Sequence, residues 1–378
     1  MKITVLSSSR ADFGIQLPLL RALRADPFFD VSVVAFGSHA DPRFGHTVDE
    51  MIASGFAPNI VLPPVLVHDD AAGIAQAMAR TLEQFSAVWR DHPTDMIVAL
   101  GDRYEMFAAV AAALPFGIPV THLHGGETTL GAIDNALRHS ITHMAALHFA
   151  CAEPYRQRVA QLTGSEAHVH NTGALSIDNL RTMELLSVGA IEQRFGFDLS
   201  RPTALVTFHP ETVGQHNADE QWAEFTAALR AIGERYRVLV TLPNADTHGL
   251  ALRDRWKAFL SDAPFAVAVD SLGALGYLSC MKHCAFVLGN SSSGYVEASF
   301  FPKHVIDVGE RQTGRIVTPN IYRCAISTND IIATVRHMER NGPPVLSHIY
   351  GDGRAAQQMV HALKGFQILS PKHGTSTA

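Results

Sequence analysis

The apolar positions of this chain fall into two kinds of run. Short continuous runs, Lys2–Leu6, Val31–Phe36, Met96–Leu100, Ile118–His122 and Leu147–Cys151, read as buried strands. Between them, apolar residues recur every three or four positions. That period predicts helices near Gly14–Arg24, over Ala71–Trp89, Arg103–Leu114 and Gly131–His143, and from Pro154. Strands alternating with helices imply a parallel sheet covered on both faces. The pattern restarts after about residue 175. Strands are predicted at Thr203–Phe208, Tyr236–Thr241, Phe265–Val269, Ala285–Leu288 and Val305–Val308. Helices are predicted at Asp219–Glu234, Asp246–Leu260, Leu272–Cys280, Ser293–Phe300 and Asp330–Asn341, with Gly353–Lys364 as a closing helix. The expected fold class is α/β, with two Rossmann-like domains, 1–175 and 176–368, facing a central cleft, and a disordered tail over 369–378.

Length and composition agree with this. A chain of 378 residues is too long for one ordinary core, and its 47% hydrophobic content is ample for two. The formal net charge of −6, with acids and bases interspersed, argues against nucleic acid as a partner. No apolar run reaches the roughly 18 residues of a membrane span, so no membrane partner is expected. The start, MKITVLSSSR, enters a strand directly and lacks signal-peptide regions, and four cysteines fit a reducing compartment; a cytoplasmic location is expected. Cys280, His283 and Cys284 lie close together, but no second cysteine pair completes a zinc site, and no metal is expected.

The chemistry gathers at the ends of strands. HGGETTLGAIDNALRH, His124–His139, packs acids, an arginine and two histidines between a strand and a helix. Asp134 and Arg138, four apart, share one helical face, while Ile133, Leu137, Ile141 and Met144 read as the buried stripe. Asp102, after the strand Met96–Leu100, either caps the following helix or joins Glu127 and Asp134 at the same sheet edge. Three carboxyls in one cleft can have their pKa values pushed apart, which permits acid and base roles at one pH. Ser7–Gly14, SSSRADFG, offers hydroxyls, helix-start amides and Arg10 to a phosphate, and it is not a dinucleotide fingerprint. Pro210 ends a strand and leaves His209 at its tip, placed to donate to a leaving phosphate. Ser291, Ser292 and Ser293, in LGNSSSGYVE, form a diphosphate cradle at a helix start, with Glu297 one turn on for sugar hydroxyls. Arg311 and Arg315, in GERQTGR, either offset ligand charge or belong to a solvated loop. His139 and His143 are spaced as in a zincin but lack its glutamate.

Together these segments resemble the hydrolysing UDP-N-acetylglucosamine 2-epimerases of sialic-acid and legionaminic-acid pathways. The likeness runs from residue 1 to about 365 and rests on SSRADFG, GDRYEMFAA, HLHGGETTLGAIDNALRHSITHMAALHF, NTGALSID, TFHPET, LPNAD, GNSSSGYVEA and GERQTGR. It implies a GT-B-like fold, a UDP-sugar bound between the domains, no redox cofactor and a homodimer or homotetramer. It also implies a reaction in which UDP leaves as C2 loses a proton, water adds to the glycal at C1, and C2 is reprotonated on the other face. On matching positions it makes Asp102, Glu127 and Asp134 the acid/base carboxylates, with Arg138 holding the reactive group. His209 then stabilises the departing phosphate. Arg10, Ser291, Ser292 and Ser293 hold the diphosphate, Glu297 the ribose, and Arg315 sits nearby. His39, in FGSHADPRFG, takes a minor binding role. Tyr295 and Ser299-Phe300-Phe301 depart from the family pattern, which bears on substrate identity more than on reaction class. Other outcomes on the same scaffold are a non-hydrolysing epimerase, a GT-B transferase or a non-catalytic sugar-nucleotide sensor.

Overall fold

The computed structural model of the protein describes residues 1–209, 211, 218–242, 249–269 and 272–366. Two fully parallel sheets form two lobes. The first holds β1 (Lys2–Ser7), β2 (Asp30–Ala35), β3 (Ile60–Val61), β4 (Met96–Leu100), β5 (Val120–Leu123), β6 (Leu147–Ala150) and β7 (Val169–Asn171), in the order β3-β2-β1-β4-β5-β6-β7. The second holds β8 (Thr203–Thr207), β9 (Arg237–Thr241), β10 (Ala266–Val269), β11 (Phe286–Gly289), β12 (Val305–Val308) and β13 (Ile321–Cys324), in the order β10-β9-β8-β11-β12-β13.

Each strand is apolar throughout because each sheet is covered twice. Side chains alternate across a strand. Thus Ile3 and Val5 of β1 join Val98 and Leu100 of β4 in one core, under the helix Arg10–Ala25. Leu6, Ile97 and Ala99 point the other way, onto Phe85 and Trp89 of the helix Ala71–Asp91. The second lobe repeats this: Ala204 and Val206 of β8 face one core and Leu205 the other.

The strand orders place the chemistry. In each lobe the order reverses once, beside β1 and β4 in the first and beside β8 and β11 in the second. Ligands bind outside the carboxyl ends of strands at such switch points. The segments that leave these four strands carry Arg10, Asp102, His209 and Ser291–Ser293.

Several expectations are revised. The first helix begins at Arg10, because Ser9 caps it by accepting from the Asp12 amide at 3.4 Å. β3 and β7, with two and three residues, are too short to show a period, and sequence reading misses them; it also misses β13, whose apolar run is broken by Arg323. Helices Leu175–Thr182 and Val188–Phe195 occupy the expected domain boundary. The expected helix Ser293–Phe300 is a 3-10 turn, Ser292–Gly294, followed by the short helix Glu297–Phe300. The closing helix, Ala355–Gly365, leaves the second lobe and buries Met359 and Leu363 in the first lobe's core. Pro210, the start of the Asp246–Leu260 helix, LPNAD beyond Leu242 and the tail 369–378 lie outside the described residues. Among the described residues no helix is long and apolar enough to cross a membrane.

Candidate active site

The lobes enclose a cleft of about 330 Å³. Of the residues singled out above, Arg10, Asp102, Glu127, Asp134, Arg138, His209, Ser291, Ser292, Ser293, Glu297, Arg311 and Arg315 all line it. His39 does not. It is fully buried behind the first loop, with Nε2 2.8 Å from Ser7 Oγ and Nδ1 2.9 Å from Thr47 Oγ1. Burial pushes its pKa down to about 4, so it stands as a neutral strut under the loop that carries Arg10.

Three carboxylates come together as expected, and each meets a guanidinium. Asp102 does not cap its helix; its carboxylate is ion-paired with Arg138 Nη2. Arg138 is only 2% exposed, and it also donates to the Glu127 carbonyl at 2.8 Å and to Thr129 Oγ1 at 3.2 Å. The expected apolar stripe holds for Ile141, Met144 and Leu137, which pack in the cores, but not for Ile133. Ile133 is 36% exposed, and the face that turns inward on the helix Asp134–Met144 carries Arg138, Ile141 and Thr142. Asp134 faces Arg311 of the second lobe at 3.6 Å.

Glu127 binds across the lobes. Its Oε2 lies 2.5 Å from Arg315 Nη1, while Oε1 accepts from Cys151 Sγ at 3.0 Å and sits 3.3 Å from His124 Nδ1. Burial acts to raise the Glu127 pKa, but Arg315, His124 and Arg138 outweigh it and hold the carboxyl well below the usual range. Burial, and then the nearby Glu127 charge, push the Cys151 thiol up.

The lobes meet closely beside this pair. The Leu130 amide donates to the Thr313 carbonyl at 2.9 Å. A Cβ on Gly131 would sit 2.6 Å from Arg311 Cα and from the Glu310 carbonyl. Only a residue without a side chain allows this approach.

The second lobe supplies the anion-binding half. Gly289 takes φ +134°, and a Cβ there would sit 2.0 Å from the Thr207 carbonyl. β11 can thus turn sharply into Ser291–Ser293, where Ser293 Oγ lies 3.0 Å from Ser291 Oγ and 2.5 Å from the Tyr277 hydroxyl. From the first lobe, Arg10 reaches over to the Leu242 carbonyl at 3.5 Å. Glu297 is buried with Oε2 unpartnered among the described residues, and burial raises its pKa to about 7.

Sequence reading misses two residues here. Asn290 is fully buried; its Oδ1 accepts from the His209 amide at 2.7 Å and its Nδ2 donates to the His209 carbonyl at 2.9 Å, which fixes the β8 tip. His124 lines the cleft directly after β5, and its position before the GGE turn was the available signal.

The comparisons with known proteins agree with this geometry. The family profile described as UDP-N-acetylglucosamine 2-epimerase matches residues 21–364. A Campylobacter jejuni protein named GDP/UDP-N,N'-diacetylbacillosamine 2-epimerase (hydrolyzing) is 34% identical, over 87% of this chain and 85% of its own. The Legionella pneumophila UDP-N,N'-diacetylbacillosamine 2-epimerase (hydrolyzing) is 29% identical, over 98% and 97%. In fold, the Neisseria meningitidis UDP-GlcNAc 2-epimerase crystallised with UDP-GlcNAc superposes with a TM-score of 0.81 at 16% identity, over 97% of this chain and 100% of that one. With arginine-held carboxylates on one wall of the cleft, a serine cradle on the other and a profile match over nearly the whole chain, this protein belongs to the UDP-N-acetylglucosamine 2-epimerase family.

Proposed function

We propose that this chain is a hydrolysing 2-epimerase of a UDP-N-acetylhexosamine, which releases UDP and the 2-epimeric free sugar for nonulosonic-acid synthesis. Two sugar nucleotides are candidates: UDP-GlcNAc and the 4-acetamido-6-deoxy form, UDP-2,4-diacetamido-2,4,6-trideoxyglucose. The second is the better candidate, because it is the sugar named in both hydrolysing relatives. The observation that carries the reading is the facing arrangement itself: Asp102, Glu127 and Asp134 on one side of a single cleft, His209 and Ser291–Ser293 on the other.

In this reading Arg10 and Ser291–Ser293 hold the diphosphate and Glu297 takes the ribose hydroxyls. His209 donates a hydrogen bond to the departing phosphate. Arg138 pairs with Asp102 and orients it. Asp102 and Asp134 serve the addition of water at C1 and the return of a proton to C2. Glu127, with Arg315 behind it and His124 in front, completes the acid/base set around C2. His39 acts indirectly by supporting the Arg10 loop. The enzyme works in the cytoplasm as a homodimer or homotetramer, which light scattering would measure.

The test is incubation with each sugar nucleotide, with UDP and sugar followed by mass. Free UDP and a free 2-epimeric sugar carrying solvent deuterium at C2 are expected. A product still joined to UDP would make the enzyme non-hydrolysing. UDP binding without turnover on either substrate would make it a sensor.

A further inference from the structure

Each of the three carboxylates on the first-lobe wall is engaged by a guanidinium: Asp102 by Arg138, Glu127 by Arg315 and Asp134 by Arg311. For Glu127 the guanidinium and its neighbours outweigh burial and hold the carboxyl well below the usual range, which makes it a poor proton acceptor. Glu127 is the most committed of them, since Oε2 meets Arg315, Oε1 meets both Cys151 and His124, and the residue is only 4% exposed. The group beside it is different. His124 lines the cleft, its Nε2 is buried, and that atom has no hydrogen-bond partner among the described residues.

The position of Glu127 settles which nitrogen carries the hydrogen. An ionised carboxylate only accepts hydrogen bonds, so the His124 Nδ1 that faces Oε1 at 3.3 Å is the protonated nitrogen. In the neutral ring Nε2 then bears the free lone pair. The backbone supports the same reading. His124 adopts φ +61°, a left-handed conformation that costs a non-glycine residue energy and that recurs where a side chain is held for function. The next step of the chain, Gly125-Gly126, lets the loop fold back so that Glu127 returns to the same imidazole.

We infer that His124, not Glu127, takes the C2 proton, with Glu127 and Arg315 as the groups that position it. This rests on the epimerase reading above. The His124 Nε2 lone pair forms the new N–H bond as the C2–H bond breaks. The C2–H electron pair becomes the C1=C2 double bond, and the C1–O pair leaves with UDP. The resulting imidazolium is stabilised by the Glu127 carboxylate at Nδ1, as in other carboxylate–histidine pairs. Glu127 itself gains no proton.

His124, Glu127 and Cys151 also have the donor types of a metal site, with ligand atoms within 4.8 Å of one another. Arg315, 2.5 Å from the same carboxylate, already supplies the positive charge there, and burial keeps the thiol protonated. The trio is accounted for without an ion.

The test compares wild type, H124Q, H124E and E127Q on the sugar nucleotide that wild type hydrolyses, with UDP affinity measured by calorimetry. Gln and Glu have nearly the same shape, but only Glu can accept a proton. H124Q is expected to bind UDP within about threefold of wild type and to lose about 10²–10⁴-fold in UDP release and in entry of solvent deuterium at C2. H124E is expected to recover at least about tenfold over H124Q, which a merely structural histidine would not show. E127Q is expected to stay more active than H124Q, because the acceptor atom remains. Turnover of H124Q within about tenfold of wild type, equal activity of H124E and H124Q, or an E127Q less active than H124Q would each overturn the assignment. Loss of wild-type activity on chelation, restored by a divalent cation, would overturn it too. A wild type that releases no UDP from either sugar nucleotide would instead defeat the epimerase reading.

Discussion

At the scale of single residues, the site is built from charges whose environments pull them apart. Glu127 is held well below the ordinary carboxylate range because Arg315 and His124 outweigh its burial. Glu297 is equally enclosed but more weakly compensated, and burial lifts it from 4.5 to about 7. The sign of the consequence is fixed. Between pH 4.5 and about 7 the unfolded chain has released this proton and the folded, ligand-free protein has not. Stability therefore falls as pH rises through that window, by up to about 3 kcal/mol from this group. Other groups titrate there as well: Asp307, raised by burial to about 6, has the same sign, while His148, lowered by burial to about 4, has the opposite sign. The measurement is thus a difference. Urea titrations of wild type and Glu297→Gln from pH 4.5 to 7.5 should give stabilities that diverge, with the variant gaining on wild type as pH rises. Parallel curves would show that Glu297 titrates normally.

At the scale of elements, the segment from β5 to the helix Asp134–Met144 is held by one buried brace. His122 Nε2 lies 2.8 Å from the Gly101 carbonyl, and its Nδ1 lies 3.1 Å from Thr142 Oγ1. Thr142 Oγ1 is in turn 3.1 Å from the Arg138 carbonyl. Burial drives the His122 pKa down to about 3, so the ring is neutral and one nitrogen can accept while the other donates. The brace joins the backbones on both sides of the Asp102–Arg138 pair. Gly125 packs directly on it: a Cβ there would sit 3.1 Å from both His122 Nδ1 and Thr142 Oγ1. Gly125→Ala should lower turnover about tenfold or more and destabilise the fold by about 1–3 kcal/mol, as overpacking does, while UDP affinity is kept by the other lobe. Unchanged turnover in a steady-state assay would show the brace to be irrelevant to the reaction. This element also shows what the sequence makes legible. Asp102, Glu127 and Asp134 could be brought to one edge from sequence, because parallel β/α units put every strand's carboxyl end on the same side. Their partners could not, since Arg311 and Arg315 lie in another lobe and far along the chain. On the helix the apolar period finds Ile141, Met144 and Leu137 but not the buried Arg138, for a related reason. Periodicity takes apolar residues as the mark of the core, and here one buried position belongs to an arginine whose charge is met by Asp102.

At the scale of the whole molecule, the chain crosses between lobes twice, and the two crossings touch. The Ala174 amide donates to the Tyr350 carbonyl at 2.8 Å, and Gly173 and Gly351, at φ +81° and +99°, pass with Cα–Cβ approaches that a side chain would block. The second crossing delivers the helix Ala355–Gly365 back to the first lobe, against the helix Arg10–Ala25. Sequence reading placed this helix with the second lobe because it follows that lobe in the chain. What holds it is a residue from the first crossing: Asp178, whose two carboxylate oxygens accept from the Ala355 amide at 2.9 Å and the Ala356 amide at 2.8 Å. This is an N-terminal cap supplied from a distant point in the sequence. Burial raises the Asp178 pKa, which the two amide bonds only partly oppose, so the carboxylate is more costly to ionise here than on the surface. Asp178→Ala leaves both amides unmet in a buried setting. The expected loss is about 1–2 kcal/mol of stability, concentrated in this helix and not spread over the protein. Hydrogen exchange should show residues 355–365 opening faster in the variant while β8, β11 and β12 keep their protection. Because Lys364 also holds the far end to Asp26 at 2.8 Å, the helix should fray from its start near Ala355. Exchange that rises evenly across both lobes would mean that the cap stabilises the global fold and that the closing helix is no separate unit.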